Sequence, residues 1–186
     1  MLYHAIKRLE QKFKEIGFNQ KFLSADDLLI WLENLGVLAL PDRGIEEALL
    51  LKHREKLLIF YNPHLHPDQL KLALGHELGH ILLGHAEHAE VLFSKHTFFS
   101  KTGLEKDAGI IGFLCWVPTW FLKKLDLEER LSPEELAWEL NTCDTEYPLI
   151  WELCKARIRI YKALKRLLNF QFFLQSFAST KDSLNC

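Results

Sequence analysis

The sequence predicts a single α+β domain, a small antiparallel sheet flanked by helices and followed by a helical C-terminal part. Three observations carry this. Apolar residues recur at helical spacing over 25–35 and 67–84. Three short apolar runs between residues 37 and 61 are split by turn signals. The 186 residues suit one domain, and no repeat or Pro/Ser-rich linker divides them. Residues 1–146 are expected to form the domain proper, N-terminal helices included. Residues 147–186 supply a C-terminal helix and tail packed on it.

Residues 1–18 read as an amphipathic helix ending near Gly17. In the second helix, 25–35, Ser24 can cap the first turn, Asp26 and Asp27 suit the positive end of the helix dipole, and Gly36 stops the helix. Val37–Leu40, Ala48–Lys52 and Leu57–Tyr61 read as strands, separated by Pro41–Gly44 and by the charged group His53–Lys56. Asn62-Pro63 breaks the third strand. Pro67 then suits the first position of a new helix, where its missing N–H costs nothing, and that helix runs to about Gly84. A looser segment, 85–102, precedes a helix over 104–116 that stops before Pro118. Ser132-Pro133-Glu134-Glu135 starts a helix over 133–140, and 147–177 carries a long helical pattern.

Composition narrows the classes. Hydrophobic residues make up 48% of the chain and charged residues 26%, with a net charge of −2. That supports a packed core and gives no overall field to attract nucleic acid or acidic membrane. No run reaches the roughly 18 apolar residues of a membrane helix. The N-terminus MLYHAIKRLEQKF lacks the apolar stretch of a signal peptide, so a cytoplasmic protein is expected. The four cysteines, Cys115, Cys143, Cys154 and Cys186, show no CxxC spacing and read as free thiols.

The chemistry concentrates in His76-Glu77-Leu78-Gly79-His80. Leu70, Leu74, Leu78, Ile81 and Leu82 share one face of this helix. His76 and His80 lie about 40° apart on the opposite side, so both imidazoles can reach one zinc ion. Glu77 stands beside them, placed to take a proton from a water that the metal activates. Gly75 and Gly79 each cost about 1 kcal/mol in a helix interior, which points to a close approach of backbone or ligand. A third ligand is required. His85 and His88 lie just downstream, but in a continued helix His85 faces about 180° away from His76. The long HExxHxxGxxH motif fails because Ala86 stands where its third histidine belongs. The alternative is a carboxylate on the helix 104–116, opened by Glu105 and Asp107, and Glu105 is preferred.

Over residues 25–140 the chain resembles the ImmA/IrrE family of metallopeptidases. The resemblance is carried by the strand LLIFYN, the helix HPDQLKLALGHELGHILLGH and the segment EKDAGIIGFLCWVP. The family pattern joins HELGH, after a variable gap, to a helix of the form ExxA(N/D)xFAxxLLMP. Glu105 takes the place of its glutamate and Ala108 that of its alanine, and Pro118 falls ten residues after Ala108. The resemblance implies a minimal zincin-like fold with the sheet packed on the active-site helix. It implies one zinc ion held by His76, His80 and Glu105, with Glu77 as general base. It also implies a protein substrate, a DNA-binding repressor of the helix-turn-helix type. Two departures stand out: Gly109 occupies the Asn/Asp position, which in the family looks like a partner that orients a ligand histidine, and FAxxLLMP becomes IGFLCWVP. Asp107 or Asp144 are candidates to replace that partner. The separate N-terminal helix-turn-helix domain of some members is not evident.

Seven of the nine histidines fall between 64 and 96. His53, His64, His66, His85, His88, His96 and Tyr147 are candidates for polarising a scissile carbonyl, each more ordinarily a surface group. Lys155, Arg157, Arg159, Lys162, Lys165 and Arg166 form a basic run that either contacts DNA or is a solvated helix face. The expected function is zinc-dependent endopeptidase. The alternatives are a binding module that regulates a partner without cleavage, and a DNA-binding regulator using the basic run.

Overall fold

The computed structural model describes residues 2–85, 91–92, 103–141 and 148–182, and of residues 2, 91–92, 148–149 and 168–182 the backbone alone. His88, His96, Cys143, Asp144, Tyr147 and Cys186 lie outside the described residues or their side chains. Two compact units are distinguished, Met1–Lys123 and Lys124–Cys186.

In the first unit, α1 covers Leu2–Lys12. It ends earlier than its pattern suggests, and the chain beyond it turns through Gly17 (φ 77°) and Asn19 (φ 54°), both left-handed. Asn19 is held there by its side chain: Oδ1 accepts from the backbone N and the hydroxyl of Thr119, at 2.7 and 2.9 Å. Helix α2, Ala25–Asn34, starts on the expected cap. Ser24 Oγ accepts from the Asp27 N–H while the Asp27 carboxylate accepts from the Ser24 N–H, a reciprocal capping box. Its Leu28, Trp31 and Leu32 are buried, with Phe13 edge-on to Trp31.

Strands β1 (Val37–Pro41), β2 (Ala48–His53) and β3 (Lys56–Tyr61) match the three apolar runs, and a two-residue β4, Val91–Leu92, adds an edge. The sheet is mixed rather than antiparallel throughout. Its order is β1-β3-β2-β4, with β1 parallel to β3 and the remaining pairs antiparallel. The reason lies in the connections. β2 and β3 form a tight hairpin through Arg54 at φ 56°, whereas the segment after Pro41 passes over the end of β3 to reach β2. Two backbone bonds fasten that passage, Asp42 N to Tyr61 O and Asn62 N to Glu47 O, both 2.8 Å. The apolar β3 is thereby paired along both edges. Leu50 and Ile59, directly opposite in register, are 1% and 0% exposed.

Helix α3, Pro67–Leu82, has Pro67 in its first turn as expected, and His66 is the cap: its ring accepts from the Asp68 N–H. Every residue from Leu72 to His80 is buried, so α3 is a central helix rather than an amphipathic surface one. It lies against α2, β2, β3 and α4 (Gly103–Trp116). Helix α4 is buried continuously from Ala108 to Trp116. Helix α5, Thr119–Leu127, was not foreseen from the sequence. It follows Pro118 at a bend of 69° from α4. No single helix among the described residues is long and apolar enough to cross a membrane.

In the second unit, α6 (Pro133–Glu139) begins on Ser132, whose hydroxyl accepts from the Glu135 N–H at 3.1 Å. The long α7, Pro148–Asp182, packs against it. Arg130 ties the α6 start through Glu135 and Glu139. Tyr161 donates to Asp126 at 2.9 Å.

Candidate metal centre

Helices α3 and α4 approach unusually closely, and glycine makes this possible. A Cβ on Gly79 would lie 2.7 Å from the carbonyl oxygen of Ala108 and 2.9 Å from its Cα. One on Gly75 would lie 3.0 Å from the Cα of Gly112, and one on Gly112 3.0 Å from the carbonyl oxygen of Leu72. Around the axis of α3, Gly79 and Gly75 stand about 60° and 100° to one side of His76, with His80 about 40° to the other. The histidines therefore flank the seam where α4 docks, and Glu105, in the first turn of α4, reaches across to them.

The result is a triangle of ligand-capable atoms. His76 Nε2 lies 3.0 Å from His80 Nε2 and 3.1 Å from Glu105 Oε2, and His80 Nε2 lies 3.4 Å from the same oxygen. Both histidines are 1% exposed or less, while the Glu105 side chain is 20% exposed. Ligands held tetrahedrally at about 2.0–2.1 Å from a zinc ion are about 3.3 Å apart, and the three edges bracket that spacing. Two imidazole nitrogens and one carboxylate oxygen form a borderline donor set suited to zinc. The residues therefore fit a metal ion. Asp107, the other candidate carboxylate, is not part of the group.

The electrostatics point the same way. Burial, aided by the neighbouring His76, pushes the His80 pKa down from 6.5 to about 4, keeping the ring neutral and able to ligate. The hydrogen bond from His76 holds the Glu105 carboxyl below the ordinary carboxylate value, so its anionic form is kept. The stability consequence has a definite sign. A lowered histidine pKa means that the unfolded chain binds the proton first, so its stabilising contribution is complete above about 6.5 and is lost as pH falls through about 4. Glu105, also lowered, adds loss in the same direction below 4.5. The metal-free protein should show a melting temperature that falls steadily from pH 6.5 to pH 4. A flat profile over that window, measured by circular dichroism, would contradict the geometry.

Glu77 is completely buried and stands about 60° around the axis from His80, on the flank away from α4. His85, set aside as a ligand on sequence grounds, lies outside the triangle, yet its Nδ1 sits 3.0 Å from His80 Nδ1. Helical spacing could not reveal this contact because it arises after the helix has ended. Gly109, the departure from the family pattern, is buried within α4. The basic run on α7 is broken up. Arg157 is fully buried, burial bringing its pKa down to about 9. Lys155 pairs with Glu152 and sits over the Trp151 ring, and Lys165 pairs with Asp126.

No curated protein matches this chain. A model of the IrrE N-terminal-like domain, a metallopeptidase family, matches residues 33–142. The matched span runs from the end of α2 to just beyond α6, includes both metal-facing helices and covers more than half of the chain. The chain therefore belongs to the family of IrrE N-terminal-like metallopeptidase domains.

Proposed function

We propose that this chain is a cytoplasmic zinc-dependent endopeptidase that cleaves a specific regulatory protein, a DNA-binding repressor of the helix-turn-helix type. The observation that carries the catalytic part is the His76–His80–Glu105 triangle, drawn from two helices and set beside a buried carboxylate. The choice of substrate follows from the family resemblance.

In this reading His76, His80 and Glu105 hold the ion. When bound, zinc supplies Lewis acidity, polarising a peptide carbonyl and making water a stronger acid. Glu77 accepts the proton of the attacking water and returns it to the leaving amine. The neutral state of His80 keeps a lone pair for ligation. The packing of α4 on the glycine face of α3 keeps Glu105 in reach without a flexible loop.

The test is metal content, by elemental analysis of protein purified without added metal or chelator. The parent should carry about one zinc per chain, and His80→Ala and Glu105→Ala should each lose it or hold it far more weakly. The loaded parent should then cut candidate helix-turn-helix repressors at defined bonds. A parent with no tight zinc site would remove the catalytic reading and leave a partner-binding module.

A further inference from the structure

We infer that His85 is a positioning residue for His80, accepting the proton on His80 Nδ1 and so leaving the His80 Nε2 lone pair aimed at the metal position. The inference rests on the proposed metal site for its purpose and for the direction of the hydrogen bond, but not for the contact itself.

The two Nδ1 atoms are 3.0 Å apart, a hydrogen-bond distance, and one of them must carry the hydrogen. If His85 donated, the proton of neutral His80 would sit on Nε2. That atom faces His76 Nε2 at 3.0 Å and Glu105 Oε2 at 3.4 Å, so the nitrogen needed for ligation would be blocked. If His80 donates from Nδ1, Nε2 is bare and points into the triangle. Only this arrangement agrees with the ligand set. Metal-bound histidines ordinarily pass their second N–H to a carboxylate, a carbonyl or water. Here an imidazole takes that part.

The backbone is shaped to deliver the ring. In a continued helix, His85 would stand about 140° around the axis from His80. Instead α3 closes at Leu83, whose N–H donates to Gly79 O at 3.0 Å. Gly84 then takes φ 74°, with its N–H donating to Ile81 O at 3.1 Å. This left-handed turn sends the chain back and lays the His85 ring edge-on to His80, centroids 5.2 Å apart. A Cβ on Gly84 would meet nothing within 4 Å. Glycine is thus required there by the backbone conformation and not by packing.

A ring that merely filled space could be replaced by phenylalanine; a ring that accepts a proton could not. Zinc affinity, measured by competition with a chelator, should fall about 10–100-fold in His85→Phe and recover within a few-fold of the parent in His85→Asn, whose carbonyl accepts in place of the ring nitrogen. Long-range proton–nitrogen NMR of the metal-free full chain should show neutral His80 protonated on Nδ1. His85→Phe that binds zinc as tightly as the parent would overturn the inference, as would His80 protonated on Nε2 in the parent. The second reading needs no variant and no activity. Should the parent take up no zinc, the proposed function fails, while the tautomer still decides the role of His85.

Discussion

Gly79→Ala should separate the two metal-facing helices and cost the protein both stability and zinc. The new methyl group would fall 2.7 Å from Ala108 O and 2.9 Å from Ala108 Cα. Both are backbone atoms, so neither can rotate away and α4 itself must move. Alanine in a helix interior ordinarily gains about 1 kcal/mol over glycine, and overpacking costs about 1–3 kcal/mol. The substitution therefore runs against the propensity trend. A net loss of up to about 2 kcal/mol corresponds to a fall of up to about 8 °C in melting temperature for a chain of this size. The metal consequence is sharper. Ala108 lies one helical turn from Glu105 on α4, so a shift at Ala108 carries the carboxylate away from two histidines fixed on α3. Zinc affinity should drop at least tenfold. Gly75→Ala and Gly112→Ala meet their neighbours at 3.0 Å and should be milder. If Gly79→Ala melts at or above the parent and binds zinc equally well, the close seam does not determine the site.

That seam shows where sequence reading reaches and where it stops. Two glycines inside a helix announce a close approach, because their cost demands a return, and HELGH with Glu105 one helix later pointed to the three residues whose ligand-capable atoms the structure brings together. Nothing local says that the approaching group is the backbone of Ala108, since that depends on where α4 crosses α3. The same holds for the sheet. Its strands were legible from apolar runs and turn residues, but the parallel pairing of β1 with β3 depends on a connection passing over a strand end, which leaves no periodic trace. Helix α1 stops at Lys12, short of the glycine that its pattern offers as a stop, and Asn19 beyond it is held by a distant residue, Thr119. Arg157 sat in an apparently solvated basic run, yet α7 turns it into the core. The continuous burial of α3 was likewise hidden, because histidine, glutamate and glycine look like a polar face until the neighbouring elements cover them.

Glu77→Gln should retain zinc and lose cleavage, and the reasons are separable. Glu77 is outside the ligand triangle, so about one zinc per chain should remain. Glutamine matches glutamate in shape but cannot accept and return a proton at neutral pH, and loss of a positioned general base costs about 10²–10⁴-fold in rate. Stability should hold. The side chain is completely buried, and glutamine fills the same volume. The expected pattern is thus an intact fold, unchanged metal content and fragments of a helix-turn-helix substrate that form at least a hundredfold more slowly, followed by mass spectrometry. A merely structural Glu77 would produce the reverse, an altered melting temperature with cleavage in proportion to folded protein. Parent-like cleavage by Glu77→Gln would remove this residue from the chemistry, and the proton acceptor would then have to be sought among the other groups near the His76–Glu105 edge.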